Sequence, residues 1–110
     1  MYKRQTLHAA VQRAAARGVT VVAAAEHEGR LWYPGSLPGA VGVRLDWECP
    51  RGEIRPAPAA AGETQYYASG YPRPIPGVPP EKNLKGISFA VANVTGVLAR
   101  AAAAATPRAP

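Results

Sequence analysis

The 110-residue chain predicts an α/β fold built on a short parallel sheet, with one helix before the core strand and a long helix near the C-terminus. Three observations carry that expectation. A helical apolar period over residues 7–17 runs directly into a β-branched, nearly continuous hydrophobic stretch, Val19–Ala25. A second helical period opens at Ser88 and holds to about Ala105. Between the two, most of the twelve prolines and eleven glycines crowd residues 34–80, so the middle of the chain reads as loop-rich.

Taken in order, Thr6 is a reasonable N-cap, and Leu7, Ala10, Val11, Ala14 and Ala15 then fall on one side of a helix. Gln12, Arg13 and Arg17 occupy the other side, and Gly18 sits where a helix wants a left-handed residue after its last turn. Val19–Ala25 is short and apolar throughout, which suits a strand buried on both faces of a parallel sheet. A helix feeding such a strand is half of a βαβ unit, and no strand precedes the helix in these residues. Glu26–Gly39 is a loop punctuated by Gly29, Pro34, Gly35, Pro38 and Gly39, and Ala40–Leu45 is a second strand. From Asp46 to Lys85 no period lasts. So long a structureless run does not suit a compact domain, so short strands or turns are expected there, near 65–69. In the last helix Phe89, Val91, Ala92, Val94, Val97, Leu98 and Ala101 hold helical spacing, with Gly86 before it and Pro107 to stop it. Residues 1–106 read as one domain and 107–110 as a disordered tail.

Composition narrows the function classes. Thirteen Lys and Arg against seven Asp and Glu give a formal charge of +6, but the basic residues are scattered singly with no interleaved aromatic platform. That argues for a solvated surface and against nucleic acid as a partner. Cys49 is the lone cysteine, so no intrachain disulfide is expected. Cys49, His8 and His27 show no metal-ligand spacing, so neither metal nor other cofactor is expected. Residues 1–5 are basic, yet no apolar core of a signal peptide follows, and no uninterrupted apolar run approaches 18 residues. The expectation is therefore no leader and no membrane span, with the cytoplasm as the default.

Three segments carry chemistry in a recognisable order. Gly18-Val19-Thr20-Val21-Val22-Ala23-Ala24-Ala25-Glu26-His27-Glu28-Gly29 is similar to the G-V-x-V-V-x-A-A-G-N-E-G stretch of subtilisin-like serine peptidases. Tyr33-Pro34-Gly35-Ser36-Leu37-Pro38-Gly39-Ala40-Val41-Gly42-Val43 resembles the same family's Y-P-A loop and following strand. Gly86-Ile87-Ser88-Phe89-Ala90-Val91-Ala92-Asn93-Val94-Thr95-Gly96 resembles its G-T-S-M-A-x-P-H-V-x-G motif, and Ala68-Ser69-Gly70 stands where the family often has an A-P-G turn. The resemblance covers about residues 5–105, with 46–67 unmatched. It implies a partial subtilisin-like fold corresponding to the C-terminal part of the catalytic domain.

By that resemblance Ser88 occupies the nucleophile position, Ala23, Ala24 and Ala25 line the substrate cleft, and His27 stands at the oxyanion-hole asparagine. Independently of family, a serine at a helix start lies at the positive end of the dipole, which favours developing negative charge. The commoner role of such a serine is simply an N-cap. His27 admits three readings: an N–H donor replacing the amide, a base near Ser88, or drift. Ile87 in place of threonine, Ala92-Asn93 in place of proline-histidine, and Glu26 in place of glycine depart from the pattern. Glu26 would be strained if that position needs positive φ. His8 reads as a surface or boundary residue, and Asp46, Glu48, Glu53 and Glu63 as solvated charges. Tyr66, Tyr67 and Tyr71 with the neighbouring prolines read as a brace under the serine loop, ahead of a peptide-docking surface.

A serine needs a base and a group to orient that base. The family's aspartate and histidine blocks have no counterpart in these residues. The chain is therefore expected to be a serine endopeptidase fragment, inactive alone, acting on a peptide or protein only if completed. Exposed sheet edges should call for a chain supplying the Asp/His half, or for self-association. A non-catalytic peptide-binding module and a basic nucleic-acid-associated protein are the alternatives.

Overall fold

A computed structural model describes residues 2–79 and 82–105. Helix α1 spans Tyr2–Ala16, and six strands follow: β1 Val22–Ala24, β2 Glu26–His27, β3 Arg30–Leu31, β4 Val41–Leu45, β5 Ile54–Pro56 and β6 Thr64–Ala68. Helix α2, Ile87–Ala105, closes the fold. The architecture is mixed α/β: a four-stranded sheet of order β1-β4-β6-β5 and a small β2-β3 hairpin.

Helix α1 begins earlier than Thr6 announced. Lys3, Arg4 and Gln5 are good helix formers and nothing breaks the run, while Arg4 is held 5.2 Å above the Tyr33 ring. Its end is as Gly18 foretold. Gly18 takes φ +75°, its N–H bonds to the Ala15 carbonyl at 3.0 Å, and the Val19 N–H reaches the Ala14 carbonyl at 2.9 Å. That pair of bonds is a Schellman cap. The expected apolar face is largely uncovered: Val11 is buried beside Gly39, whereas Leu7, Ala10 and Ala15 are exposed.

Strands β1, β4 and β6 run parallel, Val22 opposite Val41 and Val43 opposite Tyr66. Two corrections to the sequence reading follow. The sheet is mixed rather than purely parallel, because β5 pairs antiparallel with β6, Ile54 opposite Ala68. Strand β1 is an edge strand among the described residues, so Val22–Ala24 are half-buried rather than enclosed on both faces, and Val19 lies outside it in solvent. The expected strands of the long middle segment are β5 and β6.

One face of the sheet makes the core. Val43, Ala68, Ala90 and Val94 are fully buried there, flanked by Val22, Val41, Leu45, Tyr66, Ile87 and Leu98. Side chains alternate along a strand, so Gly42 and Arg44 of β4, with Gln65 and Tyr67 of β6, point to the opposite face. There the loop after β3 closes in: a Cβ on Gly42 would meet the Gly35 carbonyl and, at 2.7 Å, the Cβ of Ala25. The Tyr33–Pro34 peptide of this loop is cis. By length and composition α2 is long and apolar enough to cross a membrane, although Ser88, Asn93, Thr95 and Arg100 interrupt its apolar residues. Its fully buried residues are Ala90 and Val94, both against the sheet.

Candidate active site

Parallel strands place their carboxyl ends at one edge of a sheet, and in open α/β sheets ligands bind beyond that edge. Here the edge is formed by Ala25, Asp46 and Ser69, the residues that follow β1, β4 and β6. Helix α2 starts at the same edge. The Gly86 N–H donates to the Gly70 carbonyl at 2.9 Å, and the Gly86 carbonyl accepts from Phe89 and Ala90 at 3.1 and 3.3 Å. Gly86 is thus the N-cap residue, and Ser88 is the second residue of the helix.

That position alters the simplest reading of Ser88. Its hydroxyl is not the cap, because Gly86 precedes the first turn. Ser88 is exposed, and its own N–H belongs to the set that has no partner one turn back. The first turn of α2 contains no acidic residue, so its positive end is uncompensated.

Asn93 anchors the helix. Its Nδ2 donates to the carbonyls of Ser69 at 2.9 Å and Tyr71 at 3.0 Å, the segment leaving β6. Ser69 is 2% exposed, and its Oγ accepts from the Tyr71 N–H at 3.2 Å. Tyr71 meets Trp47 edge-on at 5.2 Å. Of the three tyrosines expected as a brace, Tyr66 packs on the core beneath α2 and the Tyr71 carbonyl is tied to the helix, while Tyr67 lies on the opposite face. Sequence reading noted Asn93 only as a departure from a motif. An amide on an otherwise apolar helix stripe was the available signal.

His27 follows β1 in the short β2-β3 hairpin. It lines a pocket of about 280 Å³ with Glu26, Glu28, Arg44, Leu45 and Tyr67. Arg44 and Tyr67 belong to the face away from α2. The His27 Nε2 lies 3.6 Å from Glu28 Oε1, and Arg44 bridges Glu26 at 3.1 Å while donating from Nε to Gln65 at 2.7 Å. Among the described residues no hydrogen bond or ion pair joins His27 to Ser88. Both residues follow elements that end or begin at one edge of the sheet, but His27 borders the face away from α2 and Ser88 opens the helix on the core face.

Ala25 is fully buried and its carbonyl accepts from the Trp32 N–H at 2.9 Å; Ala23 and Ala24 are half-buried, with Gly35 against the Ala24 carbonyl. Positive φ is found at Glu28, 52°, and not at Glu26, so the strain expected at Glu26 lies two residues further on. The loop carboxylates do not converge: Asp46 accepts from the Glu48 N–H, Glu53 lies 3.9 Å from Arg55, and Glu63 accepts from the Ala60 N–H. No group of three or more metal-binding side chains occurs among the described residues. His8 is half-buried.

Burial pushes the Cys49 thiol above its ordinary pKa; Arg55 pulls it down, while Asp46 and Glu53 push it up. A buried thiol whose Sγ lies 3.5 Å from the Glu53 carbonyl belongs to the fold and not to the candidate chemistry. No family model, curated protein or solved structure matches the chain.

Proposed function

We propose that the chain is the serine-bearing part of a subtilisin-like serine endopeptidase, with Ser88 at the nucleophile position. The observation that supports the reading is a shared edge: β1 finishes there at Ala24, and α2 begins at Gly86, tied to Gly70 after β6, two strands across the sheet. The substrate class is a peptide. In that chemistry the Ser88 hydroxyl attacks the scissile carbonyl, its proton passes to a base, and first-turn N–H groups receive the oxyanion. By the sequence resemblance His27 takes the place of a further N–H donor and half-buried Ala23 and Ala24 that of the cleft wall, with Ala25 fully buried behind them.

These 110 residues hold neither a D-[ST]-G nor an H-G-T-H-type motif, and no hydrogen bond joins a histidine to Ser88 among the described residues. On their own they are expected not to hydrolyse peptides. A fluorophosphonate probe tests both halves of the reading. The isolated chain should remain unlabelled, and a polypeptide that adds the aspartate and histidine motifs should be labelled at Ser88, with labelling lost in Ser88→Ala. Clean labelling of the isolated chain would overturn the inactivity, and an unlabelled completed polypeptide would overturn the peptidase.

A second reading, a non-catalytic peptide-binding module, is favoured by the open edge of β1. The bonds from Val41 to Val21 and from Ala25 to Val43 turn the odd-numbered residues toward β4, so the main-chain groups of Val22 face outward. An extended peptide adds to such an edge by strand pairing. Peptide binding that is unchanged in Ser88→Ala, with no labelling under any condition, would select this reading.

A further inference from the structure

A groove of about 340 Å³ runs along α2, C-terminal to Ser88. It is lined by Arg51, Gly52, Ala92, Asn93, Gly96, Val97 and Arg100. Residues 92, 93, 96, 97 and 100 share one face of the helix, and the turn at 51–52 forms the opposite wall.

Two features mark it. The first is charge without compensation. Among the described residues the ion pairs are His27–Glu28, Arg44–Glu26 and Arg55–Glu53, so Arg51 and Arg100 belong to none. Asp46, Glu48 and Glu53 sit on the loop around Arg51, yet none of them lines the groove. Two arginines therefore share a concavity with no carboxylate on its walls, on a chain of net charge +6. The second is a pair of glycines that the fold does not require. Neither Gly52 nor Gly96 has positive φ, and a Cβ at either would meet nothing within 4 Å. Glycine is a poor residue inside a helix, so Gly96 has no local justification. What it leaves is a bare floor where a ligand can approach the backbone.

We propose that this groove binds a phosphate group, free or as a small phosphomonoester. Guanidinium groups present planar forks of N–H donors that match phosphate oxygens, and the two arginines that line one concavity carry the charge to neutralise a doubly charged anion. The bare floor at Gly96 admits the tetrahedral group between them, and the apolar Val97 and Ala92 accommodate the organic part of an ester. The site shares Asn93 and Gly96 with the helix that carries Ser88 but uses no atom of Ser88, so probe labelling and phosphate binding are read separately.

The test is titration of the full chain with inorganic phosphate, phenyl phosphate and acetate against chloride at matched ionic strength, read by the arginine Nε–H resonances and by thermal midpoint. Phosphate and phenyl phosphate should shift Arg51 and Arg100 saturably and raise the midpoint, and chloride and acetate should not. Arg51→Ala and Arg100→Ala should each weaken binding about tenfold, the scale of one lost charge-assisted bond. Arg13→Ala on α1 should leave binding unchanged. Gly96→Met should fill the floor and abolish binding with an unaltered far-ultraviolet circular dichroism spectrum. Tighter binding of phenyl phosphate assigns the site to a phosphomonoester, and equal binding to free phosphate. Equal titration of the double variant Arg51→Ala/Arg100→Ala, or equal effects of chloride, would reduce the effect to screening of the net charge and overturn the site.

Discussion

Glu28 is the residue whose backbone the fold strains. It and Gly29 form the two-residue turn of the β2-β3 hairpin, with φ of 52° and 76°. Both central positions of such a turn lie in the left-handed region, which asparagine and glycine adopt readily and glutamate does not. The Glu28 side chain is 83% exposed, so its contact with His27 adds little stability. Glu28→Asn is therefore expected to raise unfolding free energy by about 0.5–1 kcal/mol in urea titrations. A loss of stability would show that the contact outweighs the strain. The same substitution leaves the backbone under His27 in place, so any change in peptide binding would trace to the carboxylate.

At the scale of elements, α2 is held by packing on one face and by one amide. The two carbonyls that Asn93 serves are 24 and 22 residues away in sequence, and Asn93→Ala leaves both without this donor. The expected loss is about 1–3 kcal/mol, measured by chemical denaturation, with Asn93→Gln recovering part of it. An unchanged midpoint would mean that water replaces the amide without loss. Elements with strong local signals were legible in sequence. Helix α2 announced itself by period, β4 by its β-branched alternation, and the end of α1 by Gly18. Strand β6 was visible only as a place where a strand had to be. Strand β5, three residues ending in Pro56, and the hairpin around Glu28-Gly29 are too short or too atypical in their turn residues to show a period. The candidate site divides in the same way. The serine at a helix start is a local pattern, whereas the Asn93 tie and the groove that Arg51 and Arg100 share exist only once distant segments meet.

At the scale of the whole molecule, the described residues form a slab of 48 × 46 × 21 Å with a radius of gyration of 15.2 Å. A compact domain of this length has a radius near about 13 Å. The flat shape goes with surfaces left open among the described residues: the outer edge of β1, the exposed side of α2, and exposed Leu31, Trp32, Trp47 and Leu84. Open edges and apolar faces favour association. Static light scattering is therefore expected to give a mass that rises with concentration above the 11.5 kDa of one chain. A constant monomeric mass would show that these surfaces are tolerated as they stand.

The bond between Gly86 and Gly70 makes the intervening segment a detour that ends where it began. Ser88 is therefore registered to the sheet and not to the segment between. Doubling such an excursion adds only about 0.6 kcal/mol of closure entropy. This is the stretch where the chain can accept insertions, and so acquire new specificity, without displacing residue Ser88.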